Sequence, residues 1–287
     1  MADVVGTITG AAEIYRANWR RIIAPFAVLA LLGLVFGIAT FGMGMVSEGV
    51  CRSTNDQYVL IAFCYVPQIM QNIISIAQEL VSFIVIMAVL VPLWALANKK
   101  PMTSWTEQVG KQFFNALKVI VVRLVIMLVV FSPVIVFIAL NMAAIIAVAE
   151  SMPAGADPNM VLVAVAGALG MILVMAALSM VLGILVNFFL TFFEIEVAVG
   201  GRGVFAAIGA SVNMVLANFV DAFVFNLAWW AVGIGISVVV MLLACTVCLI
   251  PLAFLIPPLV VVPVMWLSKL LLWKEFGGGK ALGRAMR

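Results

Sequence analysis

The sequence predicts an all-α integral membrane protein: six transmembrane helices joined by amphipathic helices lying in the membrane interface. Three observations predict it. The 287 residues are 67% hydrophobic and only 9% charged, with mean hydropathy +1.31, whereas soluble domains are about 45–50% apolar and about 25% charged. Six apolar segments are long enough to cross a hydrocarbon core of about 30 Å, which takes about 20 helical residues. Of the 15 Lys and Arg, all but Arg52 fall where one topology puts them on the same side, the positive-inside bias that sets orientation.

The segments are Ile22–Val46, Leu80–Ala97 with an amphipathic lead-in from Val66, Val119–Val148, Met160–Phe193, Phe219–Ile250 and Pro251–Trp273. No cleavable signal peptide is expected, since Met1 to Asn18 holds neither an apolar run nor a basic n-region. The polar breaks are Ser47–Gln57, Asn98–Gln108, Glu150–Asn159, Glu194–Arg202 and the tail from Lys274. Arg16, Arg20, Arg21, Lys99, Lys100, Lys111, Lys118, Arg123, Arg202, Lys269 and Lys274 share one side, with the basic end Lys280, Arg284 and Arg287. Glu48, Asp56, Glu150 and Asp157 lie on the other. Both termini are therefore expected in the cytoplasm. The net charge of +3 reads as attraction to an anionic leaflet, so no nucleic-acid partner is expected. The fifth turn is apolar and is placed at Pro251, because proline cannot continue a helix in register. Pro257, Pro258 and Pro263 break or kink the last span, and its freed carbonyls need partners from neighbours or water.

The chain reads as a single polytopic domain, 1–287, with a threefold internal repeat (1–100, 101–199 and 200–276) and a flexible basic tail, 277–287. Each unit is an interfacial helix, a span out and a span back. Apolar residues recur on one helical face: Val4, Ile8, Tyr15 and Trp19; Trp105, Val109, Ala116 and Ile120; Val204, Ile208, Val215 and Phe219. The opposite face is charged in the first two, with Glu13, Arg16 and Arg20, then Glu107, Lys111 and Lys118. Ser104 and Glu107 form a capping-box pattern that starts the second helix.

On the segments Asn98–Val119 (NKKPMTSWTEQVGKQFFNALKV) and Phe192–Phe219 (FFEIEVAVGGRGVFAAIGASVNMVLANF), the chain resembles the membrane domain attached to some glycerophosphodiester phosphodiesterases, and related six-pass proteins of bacteria and archaea. Glu196, Ser211 and Asn218 stand at the matching positions. These residues hold no soluble phosphodiesterase domain, so that chemistry is not carried over. The resemblance implies a multi-pass protein of a prokaryotic plasma membrane.

Catalysis is not expected. There is no histidine, the commonest general acid–base group and metal ligand, and no phosphate loop, dinucleotide fingerprint or nucleophile elbow. No metal site or cofactor is expected. Glu194 and Glu196 would point to opposite sides of a helix and read as an interfacial helix end with Arg202 nearby.

The best-defined polar feature is Gln68, Gln71, Asn72, Ser75, Gln78, Glu79 and Ser82, which share one third of a helix at about 100° per residue. Either this helix lies on the outer surface and turns into the span near Leu80, or its stripe lines a wet cavity. Val66 to Ala97 would measure about 48 Å at about 1.5 Å per residue, which favours the first. Asp221, just inside the fifth span, is costly there and is expected to snorkel or pair with a basic residue. Cys51, Cys64, Cys245 and Cys248 all fall on the outer side, where disulfides persist. A Cys51–Cys64 bridge would contribute roughly 3 kcal/mol; buried free thiols are the other reading. Gly33-x-x-x-Gly37 and the run Ala164–Gly170 permit close helix packing.

The expected role is non-catalytic: an accessory, assembly or scaffold component of a prokaryotic membrane complex. Its partners would be lipids and other membrane-protein subunits or a second copy of the chain. The alternative is a transporter or permease for a lipid-like or small amphipathic substrate, favoured by the polar stripe, the Pro257-Pro258 break and the repeats.

Overall fold

A computed structural model describes residues 2–53, 66–151, 158–244 and 255–277, and every regular element among them is helical. In chain order these are α1 (Val4–Ser53), α2 (Val66–Ala97), α3 (Trp105–Ser151), α4 (Pro158–Phe189), α5 (Phe193–Ala198), α6 (Val204–Ala217), α7 (Phe219–Ala244) and α8 (Val262–Glu275). A π-helical segment, Pro257–Val261, leads into α8. Six helices are long and apolar enough to cross a membrane. Along α7, Phe223, Leu227, Trp230, Ile234, Val238 and Met241 stay exposed. Covering each such side chain is worth about 1.5–3 kcal/mol, and only lipid or another span can do so here. The chain is a multi-pass membrane protein.

Two of the junctions between an interfacial helix and a span break in the same way. Asn18 interrupts α1 at φ −121°, ψ 15°, and Asn218 separates α6 from α7 at φ −129°, ψ 42°. In each the side-chain amide donates to the carbonyl four residues back, Ile14 at 3.0 Å and Met214 at 3.0 Å. At Asn218 the backbone N–H keeps its bond to the same Met214 carbonyl, at 3.2 Å, so the amide adds a second donor beside the bend. The second junction has no such break, and α3 runs straight through it.

The apolar faces of the interfacial helices are divided: Val4, Ala116 and Val215 are buried. Trp19 is 46% and Phe219 48% exposed. Beside the buried residues the protein-facing side is small or polar: Thr7 and Ala11 in α1, Gln112 in α3, Ala207 and Ser211 in α6. Lipid attracts the large apolar side chains outward, while small residues let helices approach closely.

By contacts the chain divides into two compact units, 1–120 with 192–287, and 121–191. In the first, α1 packs on α2 and α8, and α2 on α5. Its core holds Ile22 and Phe26 of α1, Met87, Leu90 and Leu93 of α2, and Leu267, Leu270 and Trp273 of α8. The Trp94 and Trp273 rings meet edge to face, centroids 5.1 Å apart. In the second unit the Ser179 hydroxyl donates to the Val130 carbonyl at 3.4 Å.

Prolines in the spans leave carbonyls without an amide four residues on. Pro133 does this to Val129, whose oxygen accepts the Ser132 hydroxyl at 2.8 Å. Pro263 does it to Leu259, whose oxygen accepts the Tyr15 hydroxyl of α1 at 2.8 Å. The expected neighbour to the broken last helix is thus Tyr15. In a medium without water such a repair is close to obligatory.

Candidate functional site

The densest buried polar arrangement centres on α5, a single turn and a half whose six residues are all buried. Side chains from other elements hold both of its ends. At the start, the Phe192 N–H donates to Ser211 Oγ of α6 at 3.2 Å. At the finish, Gln112 Nε2 of α3 donates to the Ala198 carbonyl at 3.2 Å, and is itself oriented by Asn115 at 3.1 Å. A helix this short cannot satisfy its own terminal groups, so these bonds make it viable inside the protein.

Glu196 sits in the middle and is 1% exposed. Its Oε1 accepts the Trp273 indole N–H at 2.9 Å. Its Oε2 meets Arg202 Nη1 at 3.3 Å. The backbone is shaped for that pairing. Gly201 turns the chain at φ 64°, which costs a glycine nothing sterically. A side chain on Gly200 would place its Cβ 2.6 Å from the Glu196 carbonyl oxygen and 2.8 Å from Oε2. The Arg202 N–H then closes on the Glu196 carbonyl at 3.2 Å. Charge-assisted bonds of this kind are roughly twice as strong as neutral ones, which offsets the desolvation of the carboxylate. Both oxygens of Glu196 are engaged, so the arrangement braces α5 between α8 and the α5–α6 turn.

Arg202 lies beside this acidic stretch, where the sequence predicts an interfacial helix end, but the stretch is inside the protein. Glu194 and Glu196 are each 1% exposed, because the Glu194–Arg202 break is a buried helix and a glycine turn. Of the three positions carrying the family resemblance, Glu196 and Ser211 meet through α5, whereas Asn218 lies at the α6–α7 bend.

The polar stripe lies on a helix that runs unbroken through Leu80, with Pro92 as its one internal proline. The expected turn near Leu80 is absent because nothing there, neither glycine nor proline, interrupts the backbone ladder. Asn72, Ser75 and Glu79 are exposed, and Gln71, Gln78 and Ser82 half-buried; the Gln68 side chain lies outside the description. Ser75 donates to its own helix, to the Gln71 carbonyl at 2.9 Å. Gln78 packs against Gly33 of α1, where an added Cβ would sit 3.7 Å from Nε2. The same test at Gly37 finds open space, so only the first glycine of that motif makes the close approach.

Asp221 finds a backbone partner instead of a cation. Its Oδ2 accepts the Ala2 N–H at 2.8 Å, beside a cavity of about 460 Å³ lined also by Asp3, Asn218 and Glu275. The Cys51–Cys64 bridge involves Cys64, which lies outside the described residues, as do Cys245, Cys248 and the turn at Pro251. Ser104 precedes α3 as expected, but its hydroxyl meets that of Thr106 at 2.7 Å instead of closing a capping box. Among the described residues no group of three or more acidic or sulfur ligands could hold a metal ion.

A second turn closes α2. The Lys100 N–H donates to Ala95 at 2.8 Å and the Lys99 N–H to Leu96 at 2.9 Å, the paired bonds of a Schellman cap. Lys99 takes the left-handed position at φ 57°, which glycine usually fills and which costs a residue with a Cβ about 1–2 kcal/mol.

Sequence reasoning missed Trp273, Tyr15 and Gln112. Each is an amphipathic side chain whose partner is 77, 244 or 86 residues away. No local pattern announces such pairs. Comparison with protein-family models, curated proteins and solved structures finds no match for the chain.

Proposed function

We propose that the chain is a non-catalytic accessory, assembly or scaffold component of a membrane complex in a prokaryotic plasma membrane, with both termini in the cytoplasm. One observation carries this reading. The buried Gln112, Glu196 and Ser211 are spent on bracing α5, while few apolar side chains of α7 and the α3 segment Trp105–Phe137 are buried. Such rows suit packing against other spans. Native mass spectrometry after gentle extraction tests it. A stoichiometric protein partner is the expected result. A chain recovered alone, carrying a metabolite, would overturn it.

The exposed Asn72, Ser75 and Glu79 favour a second reading, a transporter or permease for a lipid-like or small amphipathic molecule. In reconstituted vesicles, Glu79→Ala with Gln71→Ala should then abolish flux in a folded protein. Unchanged flux would remove this reading.

A further inference from the structure

The geometry points to a phosphate-recognising site at the end of α2, taking the headgroup of an anionic phospholipid. A cavity of about 520 Å³ opens between the Asn18 bend of α1 and the Schellman turn after α2. Arg21, Lys99 and Lys100 line it, with Glu13 as the single acid and Ile14 and Leu96 as apolar wall. That volume is within the range of small-molecule sites, about 300–1,000 Å³.

Three features separate this cavity from an ordinary basic rim. First, no hydrogen bond or ion pair among the described residues engages the Arg21, Lys99 or Lys100 side chains. The fold leaves these charges unspent. Second, both walls are bent backbone: Asn18 breaks α1 where the cavity opens, and Pro101 stops the chain after Lys100. Third, a lysine occupies the left-handed position. A cation near a helix C-terminus is favourable by itself, and this accounts for Lys100. It gives no reason to strain the backbone at Lys99, where glycine would satisfy the cap. Strain of this kind is kept where a side chain has a use.

The chemistry follows from the lining. Three cations against one carboxylate select an anion, and a guanidinium with two ammoniums matches the oxygens of a phosphate. Glu13 can accept a hydroxyl or ammonium from the polar end of the headgroup. The Ile14 and Leu96 wall and the exposed Trp19 on the same helix favour a phosphate that arrives attached to an acyl chain. A soluble phosphomonoester shares the phosphate chemistry without the chain.

The test uses the full chain in neutral detergent, titrated with phosphatidylglycerol, phosphatidylcholine or sn-glycerol 3-phosphate and read by native mass spectrometry. Phosphatidylglycerol should bind at one site in preference to phosphatidylcholine, whose choline offsets the phosphate charge. Arg21→Gln with Lys100→Gln should weaken it by about fivefold for each cation removed. Lys99→Gly is the variant expected to keep the fold, since glycine suits the turn. It should raise Tm without lipid and lower lipid retention. Lys111→Gln with Lys118→Gln, which removes exposed charges outside the cavity, should leave retention unchanged. Competition by sn-glycerol 3-phosphate at similar affinity would keep phosphate recognition and move its source to the aqueous phase. Equal retention by Lys99→Gly and the double variant, or equal loss in the control pair, would overturn the site.

Discussion

Two turns in this molecule solve one geometric problem with opposite chemistry. After α5, glycine takes the left-handed position and the neighbouring cation, Arg202, is folded back onto a buried carboxylate. After α2, lysine takes that position and the neighbouring cations point into an open cavity. The first turn relaxes the backbone and uses its charge for stability. The second strains the backbone and keeps its charge available. Where a glycine is absent from a place that favours it, the side chain present is the thing to explain.

The largest break in that comparison should come from Arg202→Ala. Arg202 is 37% exposed but Glu196 only 1%, so the change leaves a buried carboxylate short of its cation, which costs about 3–5 kcal/mol. Thermal unfolding in detergent would show it, and adding Glu196→Gln should recover much of the loss. A double variant no better than the single one would contradict the bracing role. Gly200→Ala should cost about 1–3 kcal/mol by overpacking, because its Cβ would meet the Glu196 carbonyl oxygen and Oε2. Tyr15→Phe removes one bond to the Leu259 carbonyl and should cost about 1 kcal/mol. Smallest and of opposite sign, Lys99→Gly should stabilise by up to about 1 kcal/mol. A destabilising Lys99→Gly would mean that the lysine holds the turn by contacts of its own, and the contrast between the two turns would lose its basis.

Span number and the approximate bounds of the apolar helices were legible because lipid imposes one rule on long stretches of sequence. The nearness of Arg202 to Glu194 and Glu196 was legible because all three lie in one short segment; the ion pair with Glu196 was not. Nor was the burial of that segment: a wholly buried helix of six residues, Phe193–Ala198, has no periodicity to detect. The inward side of the interfacial helices was hidden for a related reason. Apolar periodicity identifies one face, but part of it, Trp19 and Phe219, stays exposed, while Thr7, Gln112 and Ser211 pack inside beside Val4 and Val215. The partner of Asp221 could not be read either, because a backbone amide such as that of Ala2 carries no signature.

The hydroxyl of Tyr15 reaching Leu259 has a consequence for how the protein is made. The ribosome releases Tyr15 near the beginning of synthesis and Leu259 close to the end of the described chain, 244 residues later. Until Leu259 arrives, the Tyr15 hydroxyl lacks its acceptor and the packing of α1 on α8 is unmade. Tyr15 therefore waits through the synthesis of 244 residues, and whatever shelters α1 during that interval would raise the yield of folded protein.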